Sequence, residues 1–473
     1  MTTFVNAIQN QKTTTTNGMK ARKRTGSACV DLFFKVGASR GKDIIPDFVA
    51  AYVEDKDLAL RIAAWVRDVR GGAGERQIYR DILKHLDKHD PAAAFALASK
   101  APELGRWDDV LAIGDAWNKN QENVFNMIKD ALASNDGLCA KWMPRKGDAA
   151  VALRNHLGWT PKFYRKRLVE LTKVVETQMC AKQWDDINFS HVPSVASSRY
   201  KKAFYRNAPA KYQEYIDKLV KGDDPTVKVN AGAIFPHDVL KGRIRHYIKF
   251  SGTELKLIEK QWEALPNYVG DAKILPLVDV SGSMNSPAGK SKTTCMEIAV
   301  SLGLYLADKN VGKFKDAFLT FSGNPELLYL KGNINQKIEQ MVSSDWGMNT
   351  DLEAAFKLIL KTATKGKVSQ EEMPEVLLIL SDMQFDAACR PDYTAFKMIR
   401  KQYEAAGYKL PKIVFWNLNA HDNVPVKFDK EGTALVSGFS PAIMKSVLAA
   451  DLEQFTPESI MLKTVLQDRY KVI

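Results

Sequence analysis

A chain of 473 residues exceeds what one ordinary hydrophobic core organises and fits two or three domains. With 45% hydrophobic and 26% charged residues it has the balance of a soluble globular protein, which excludes a fibrous or largely disordered chain. The longest apolar runs, Ile274 to Val280 and Val376 to Leu380, fall far short of the roughly 20 residues a membrane helix needs, so no membrane partner is expected. The formal net charge is +13, and essentially all of the excess precedes about residue 265, so the two halves present different surfaces. The five cysteines (Cys29, Cys139, Cys180, Cys295, Cys389) are widely spaced and never form a CxxC pair, which suits a reducing compartment better than a disulfide framework or a zinc site. The first residues lack a charged start followed by an apolar stretch, so the expected location is cytoplasmic.

In chain order, residues 1–25 mix Thr, Asn, Gln and Lys without apolar periodicity and read as a flexible basic arm. Residues 26–265 read as an all-helical domain. Ile44, Ile45, Phe48, Val49, Tyr52 and Val53 share one stripe, and Leu58 to Val69 form a broader one that ends at Arg70-Gly71-Gly72-Ala73-Gly74. Ile78 to Leu86 predicts another helix, stopped before Pro91. Amphipathic stretches recur at Ala92–Ala98, Trp107–Ile113, Val124–Leu132, Ala149–Leu157, Phe163–Val175 and Tyr212–Leu219. Successive short helices are what an irregular HEAT-like repeat looks like, although no regular period emerges and a non-repeating helical domain fits equally.

After Pro266 the pattern alternates. Strands are expected at 273–279, 317–321, 376–380 and 412–417, and helices at Cys295–Ala307, Leu352–Leu360 and Tyr393–Ala406. Residues 266–473 therefore read as a doubly wound parallel sheet, in which ligands sit beyond the carboxyl ends of the strands. Asp279-Val280-Ser281-Gly282-Ser283 lies at such an end. A carboxylate at the strand end reaches an ion directly or through water, and two hydroxyls two residues apart on a tight turn add neutral oxygens. That donor set suits a hard cation such as Mg²⁺, or else Mn²⁺ or Ca²⁺. The plainer alternative is that these serines cap turns and helices.

Residues 274–284, ILPLVDVSGSM, resemble the first strand and metal loop of von Willebrand factor A domains. The resemblance implies a metal-ion-dependent adhesion site completed by a threonine and an aspartate from later loops. Thr350, just before a helix, and Asp382, at the end of Leu378-Ile379-Leu380-Ser381, match them. The implied ligand set is Asp279, Ser281, Ser283, Thr350 and Asp382, with Asp351 and Asp386 nearby in sequence. In that family the ion's open position accepts a carboxylate from a partner protein, without catalysis.

Arg22-Lys23-Arg24-Thr25-Gly26 with Asp31-Leu32-Phe33-Phe34, Arg67 to Arg76, Gly105 to Asp109, Lys141 to Arg145, and Val192 to Ala196 with Arg199 to Lys202 follow one another along the helical half. In that order these pieces resemble TROVE-type RNA-binding proteins, typified by the Ro autoantigen, and more closely a poorly characterised relative of that group. The resemblance implies a ring of helices closed by the A domain, a non-enzymatic function, and RNA as partner through single-stranded ends or structured small RNA. Arg22, Lys23, Arg24, Arg70, Arg76, Lys141, Arg145, Arg165, Lys166, Arg167, Arg199, Lys201 and Lys202 are the candidate RNA contacts. Physically, lysine and arginine neutralise phosphates while Phe163, Tyr164, Tyr200, Phe204 and Tyr205 could stack on bases. For each cluster the alternative is a solvated helix face over core aromatics. His85 and His89, at i and i+4, lack a third ligand and read as surface residues. The competing functional reading is a metal-dependent protein-interaction or assembly factor that binds no nucleic acid.

Overall fold

The computed structural model describes the chain outside residues 1–11, 15–19, 115–118, 173, 233, 241–242, 247, 251, 322–323, 345–351, 385–392, 422–423 and 450–454. The chain divides into two compact units. A sheet unit gathers Met1–Ile62, Phe235–Ser251 and Pro266–Arg469, and a helical unit gathers Ala63–Ile234, Gly252–Leu265 and Tyr470–Ile473.

Among the described residues the sheet unit holds a six-stranded sheet in the order β5-β4-β3-β6-β7-β8. Its strands are β3 (Ile274–Val278), β4 (Ala317–Thr320), β5 (Leu327–Tyr329), β6 (Val376–Ser381), β7 (Lys412–Asn417) and β8 (Thr433–Ser437). All neighbours are parallel except the antiparallel edge strand β5. β3 and β6 are buried along their whole length, as continuous apolar strands covered on both faces must be. The order runs outward from β3 in one direction and from β6 in the other, so the topological switch point lies between them. The helix Cys295–Lys309 begins with a capping box between Thr294 and Glu297 and packs against β3. Gly303 permits that approach, since a Cβ there would lie 2.4 Å from Val278 Cγ2.

The expected boundary at residue 26 does not hold. The helix Ala28–Val36, capped by Ser27, belongs with the sheet. The Gly37 amide donates to Ser437 Oγ at 3.1 Å, Ser437 Oγ donates to the Phe33 carbonyl at 2.9 Å, and Asn417 Nδ2 donates to the Phe34 carbonyl at 3.2 Å. Asp31-Leu32-Phe33-Phe34 is thus a buried helix turn against β7 and β8, which the sheet needs to cover its face. The expected flexible arm is also corrected in part. β1 (Lys12–Thr14) and β2 (Lys20–Arg22) form an antiparallel pair, and Arg22 exchanges two main-chain hydrogen bonds with Val424. Threonine-rich sequence favours extended backbone once a partner edge is present.

In the helical unit the regular elements of the described residues are helical. The helices Arg76–His89, Pro91–Ser99, Asn120–Ala133, Gly137–Trp142 and Pro161–Leu171 follow one another, each contacting near neighbours in sequence. Their starts have local causes. Asp90 accepts from the Ala93 amide at 3.1 Å and Thr160 from the Phe163 amide at 3.2 Å, each just before a proline that opens its helix. Arg70 to Glu75 is the expected inter-helix turn. A Cβ on Gly72 would fall 1.9 Å from the Trp65 carbonyl, so only glycine lets the chain fold back there. The expected helix Phe163–Val175 ends instead at Leu171, where Thr172 turns its hydroxyl back to the Leu168 carbonyl, and a separate helix spans Val175–Cys180. The helices Ser194–Asn207 and Pro209–Lys221 close over a core of Ile187, Phe189, Phe204, Tyr212 and Ile216.

Candidate metal centre and basic surface

β3 ends in Asp279 and β6 in Ser381-Asp382, side by side at the switch point. The Asp279 amide donates to the Leu380 carbonyl at 2.9 Å, which extends the ladder by one residue and fixes the carboxylate at the sheet rim. Its Oδ1 accepts from the Ser281 amide at 2.9 Å and its Oδ2 from Ser381 Oγ at 2.6 Å. Ser281 Oγ and Ser283 Oγ lie 3.1 Å apart on the short turn Gly282–Asn285. Asp382, 1% exposed, accepts from the Gln384 amide at 3.2 Å and is hydrogen-bonded by Ser283. Four of the five expected ligands therefore meet in one corner: Asp279, Ser281, Ser283 and Asp382. Thr350, with Asp351 and Asp386, lies outside the described residues.

Burial raises the pKa of both carboxyls of this corner. Burial, and then the charge of Asp382, push the Asp279 carboxyl from its ordinary 3.8 to about 6. Burial also raises Asp382, against the opposing pull of Lys42. Two carboxylates repel in a dry site, and two hydroxyl oxygens stand beside them. A hard divalent cation fits this donor set, with Asp279, Ser281, Ser283 and Asp382 as the residues that would hold it. Among the described residues no group of three or more His, Cys, Asp or Glu could hold a metal; here half the donors are serines.

Sequence reasoning missed two participants. Ser381 stands one residue before the matched aspartate and looks like the end of an apolar strand, yet it orients Asp279. Lys42 donates to Asn419 Oδ1 at 2.9 Å and to the Ala420 carbonyl at 2.6 Å, and its charge acts on Asp382. No local motif marks a lysine that lies so far from the loop in sequence.

The candidate RNA contacts fall on both units. Arg22, Lys23 and Arg24 belong to the sheet unit, with Lys23 and Arg24 exposed and Arg22 half-buried. In the helical unit Arg70, Arg76, Arg145, Arg165, Lys166, Arg199 and Lys202 are exposed, whereas Lys141, Arg167 and Lys201 are half-buried. Arg167 pairs with Glu170, and Lys201 with Glu254. Phe163 is 50% exposed beside Arg165 and Lys166, and Tyr205 is 38% exposed. Three proposed stacking aromatics are corrected. Phe204 is wholly buried, with its ring 5.1 Å from Phe189; Tyr164 is buried with its hydroxyl on the Pro144 carbonyl; half-buried Tyr200 bonds Glu176. Their spacing served the core, as amphipathic spacing does. His85 and His89 stack at 4.3 Å, and His89 Nδ1 bonds the His85 carbonyl.

Residues 273–469 match the Domain of unknown function (DUF7788), and residues 15–102 and 148–273 match the Domain of unknown function (DUF2828). A crystal structure of the Deinococcus radiodurans RO (RSR) protein aligns with 93% of this chain and 99% of its own at 15% identity, with a TM-score of 0.49. At that score the likeness is too loose to argue from, and the sheet order itself carries the fold. The chain is 31% identical over 509 residues to the Uncharacterized protein L728 of Acanthamoeba polyphaga mimivirus, a span of 95% of this chain and 86% of that protein. With its DUF2828 region leading into its DUF7788 region, the chain belongs to the same family as the mimivirus protein L728.

Proposed function

We propose that this chain is a non-enzymatic RNA-binding protein whose sheet unit holds a divalent cation, Mg²⁺ above Mn²⁺ or Ca²⁺. The observation that carries the RNA reading is the exposed face of the helix Pro161–Leu171, where Arg165 and Lys166 stand in solvent beside the half-exposed ring of Phe163. It lies in the most basic stretch of the chain, with nineteen lysines and arginines against nine aspartates and glutamates between residues 151 and 250. Cations along a backbone track and an aromatic for an unpaired base are what single-stranded RNA requires. The order of TROVE-like motifs supports the same partner, and the likeness of 274–284 to an A-domain metal loop supports the cation. When bound, the ion supplies a fixed positive pole for an oxygen ligand.

The test is binding of labelled single-stranded RNA to the full chain across a salt series. The expected result is affinity that falls linearly on a log–log plot, with a slope reduced in the Arg165→Glu, Lys166→Glu double variant. Binding absent at low salt would end the RNA reading. A second reading, a cation-dependent protein-interaction factor, is supported by the same corner, since in the A domains that residues 274–284 resemble the ion accepts a carboxylate from a partner protein. Association that resists nuclease but yields to a chelator would select it.

A further inference from the structure

We propose that Arg76, backed by Arg80 and Arg106, holds one phosphate group of an RNA backbone. The inference rests on the RNA reading above and gives it a specific contact. Arg76 opens the helix Arg76–His89, and Arg80 lies one turn further along it. Arg80 is spent inward: its Nε donates to Asp109 Oδ1 at 2.7 Å and its Nη2 lies 2.9 Å from Asp108 Oδ2. Arg106 clamps Asp108 through Nε at 2.9 Å and Nη2 at 2.6 Å, with its guanidinium 3.4 Å from the centre of the Trp142 ring. Asp109, wholly buried, also accepts from Arg67 Nε at 2.6 Å and from the Arg106 amide at 3.2 Å. Two carboxylates thus serve three guanidinium groups before Arg76 is reached.

Arg76 makes no hydrogen bond or ion pair with a described residue, although it is close enough to feel both other arginines. Burial, and then the charges of Arg106 and Arg80, lower its pKa, against the smaller upward pulls of Asp108 and Asp109. Asp108 and Asp109 thus stand among four guanidinium groups, those of Arg67, Arg76, Arg80 and Arg106. An anion that adds charge and several acceptor oxygens relieves that excess, and a phosphate matches the fork of a guanidinium.

The experiment compares wild type, Arg76→Gln and Arg76→Lys as full chains, using fluorescent single-stranded oligouridine in a salt series and inorganic phosphate in a thermal-shift assay. Arg76→Gln should lower oligouridine affinity about fivefold and flatten the salt slope by about 0.7, one phosphate's share for a single strand. Arg76→Lys should restore the slope but not the full affinity, because a point charge lacks the fork. The melting temperature of the RNA-free Arg76→Gln chain should stay level or rise, which a structural arginine would not allow. Unchanged affinity and slope in Arg76→Gln, with loss in the Arg165→Glu, Lys166→Glu variant, would overturn this site and leave the RNA reading standing. Stabilisation by inorganic phosphate through Arg76, with no oligouridine bound, would overturn the RNA source and the RNA reading together. Binding of neither probe would overturn both as well.

Discussion

In the helical unit the buried carboxylate of Asp109 is spent on Arg67 and Arg80, whereas in the sheet unit Asp279 and Asp382 share a dry corner with serine hydroxyls and each other. The first arrangement neutralises its charge from within the chain and serves stability. The second sets two carboxylates against each other beside hydroxyls, and in the reading proposed above a cation meets that charge. Buried charge is expensive in either case, so the way a buried carboxylate is compensated separates a structural acid such as Asp109 from a candidate ligand.

Asp109→Asn should break that contrast most severely. It strands Arg67, which has almost no solvent access, and should cost about 3–5 kcal/mol in urea unfolding. A loss near zero would mean that the arginines are satisfied elsewhere and that the cluster is not the anchor described. The pH dependence comes next and runs opposite to the usual carboxylate case. Because the folded chain raises Asp279 from 3.8 to about 6, it binds that proton more tightly than the unfolded chain between those values. Cation-free protein should therefore lose stability as pH climbs from about 4 to about 6 and level off above, and Asp279→Asn should flatten the Asp279 part of the curve. Thermal melts in chelator at several pH values read this directly; a wild-type curve parallel to the variant's would contradict it. The smallest effect, that of Phe163, is read against a core aromatic. Phe163→Ala should weaken single-stranded RNA binding by about 1–3 kcal/mol, and its melting temperature should stay close to wild type. Phe204→Ala should instead cost about 3–5 kcal/mol of stability, and the reverse pattern would exchange their roles.

Much of this was legible from residues. ILPLVD and LLILSD read as buried strands ending in acids, because both-face burial leaves continuous apolar runs, and Asp279 and Asp382 do lie together at their ends. β8 was not legible, since Thr433–Ser437 is short and carries no alternation to separate it from a loop. The allegiance of Ala28–Val36 was hidden for a different reason. Its partners Asn417 and Ser437 are nearly four hundred residues away, and local pattern reports which face is apolar, not what covers it. The same limit explains Phe204 and Tyr164, where an aromatic beside arginines carries no sign of facing inward.

The most direct test of the central claim is a Mg²⁺ titration of the full chain followed by calorimetry at pH 7.5, for wild type and Asp279→Asn. A saturable heat in the wild type, weakened at least about 100-fold in Asp279→Asn while that variant melts no lower without the ion, is the predicted result. A wild type that takes up no divalent cation, or a variant that binds it equally well, would contradict the assignment of Asp279, Ser281, Ser283 and Asp382 as its ligands.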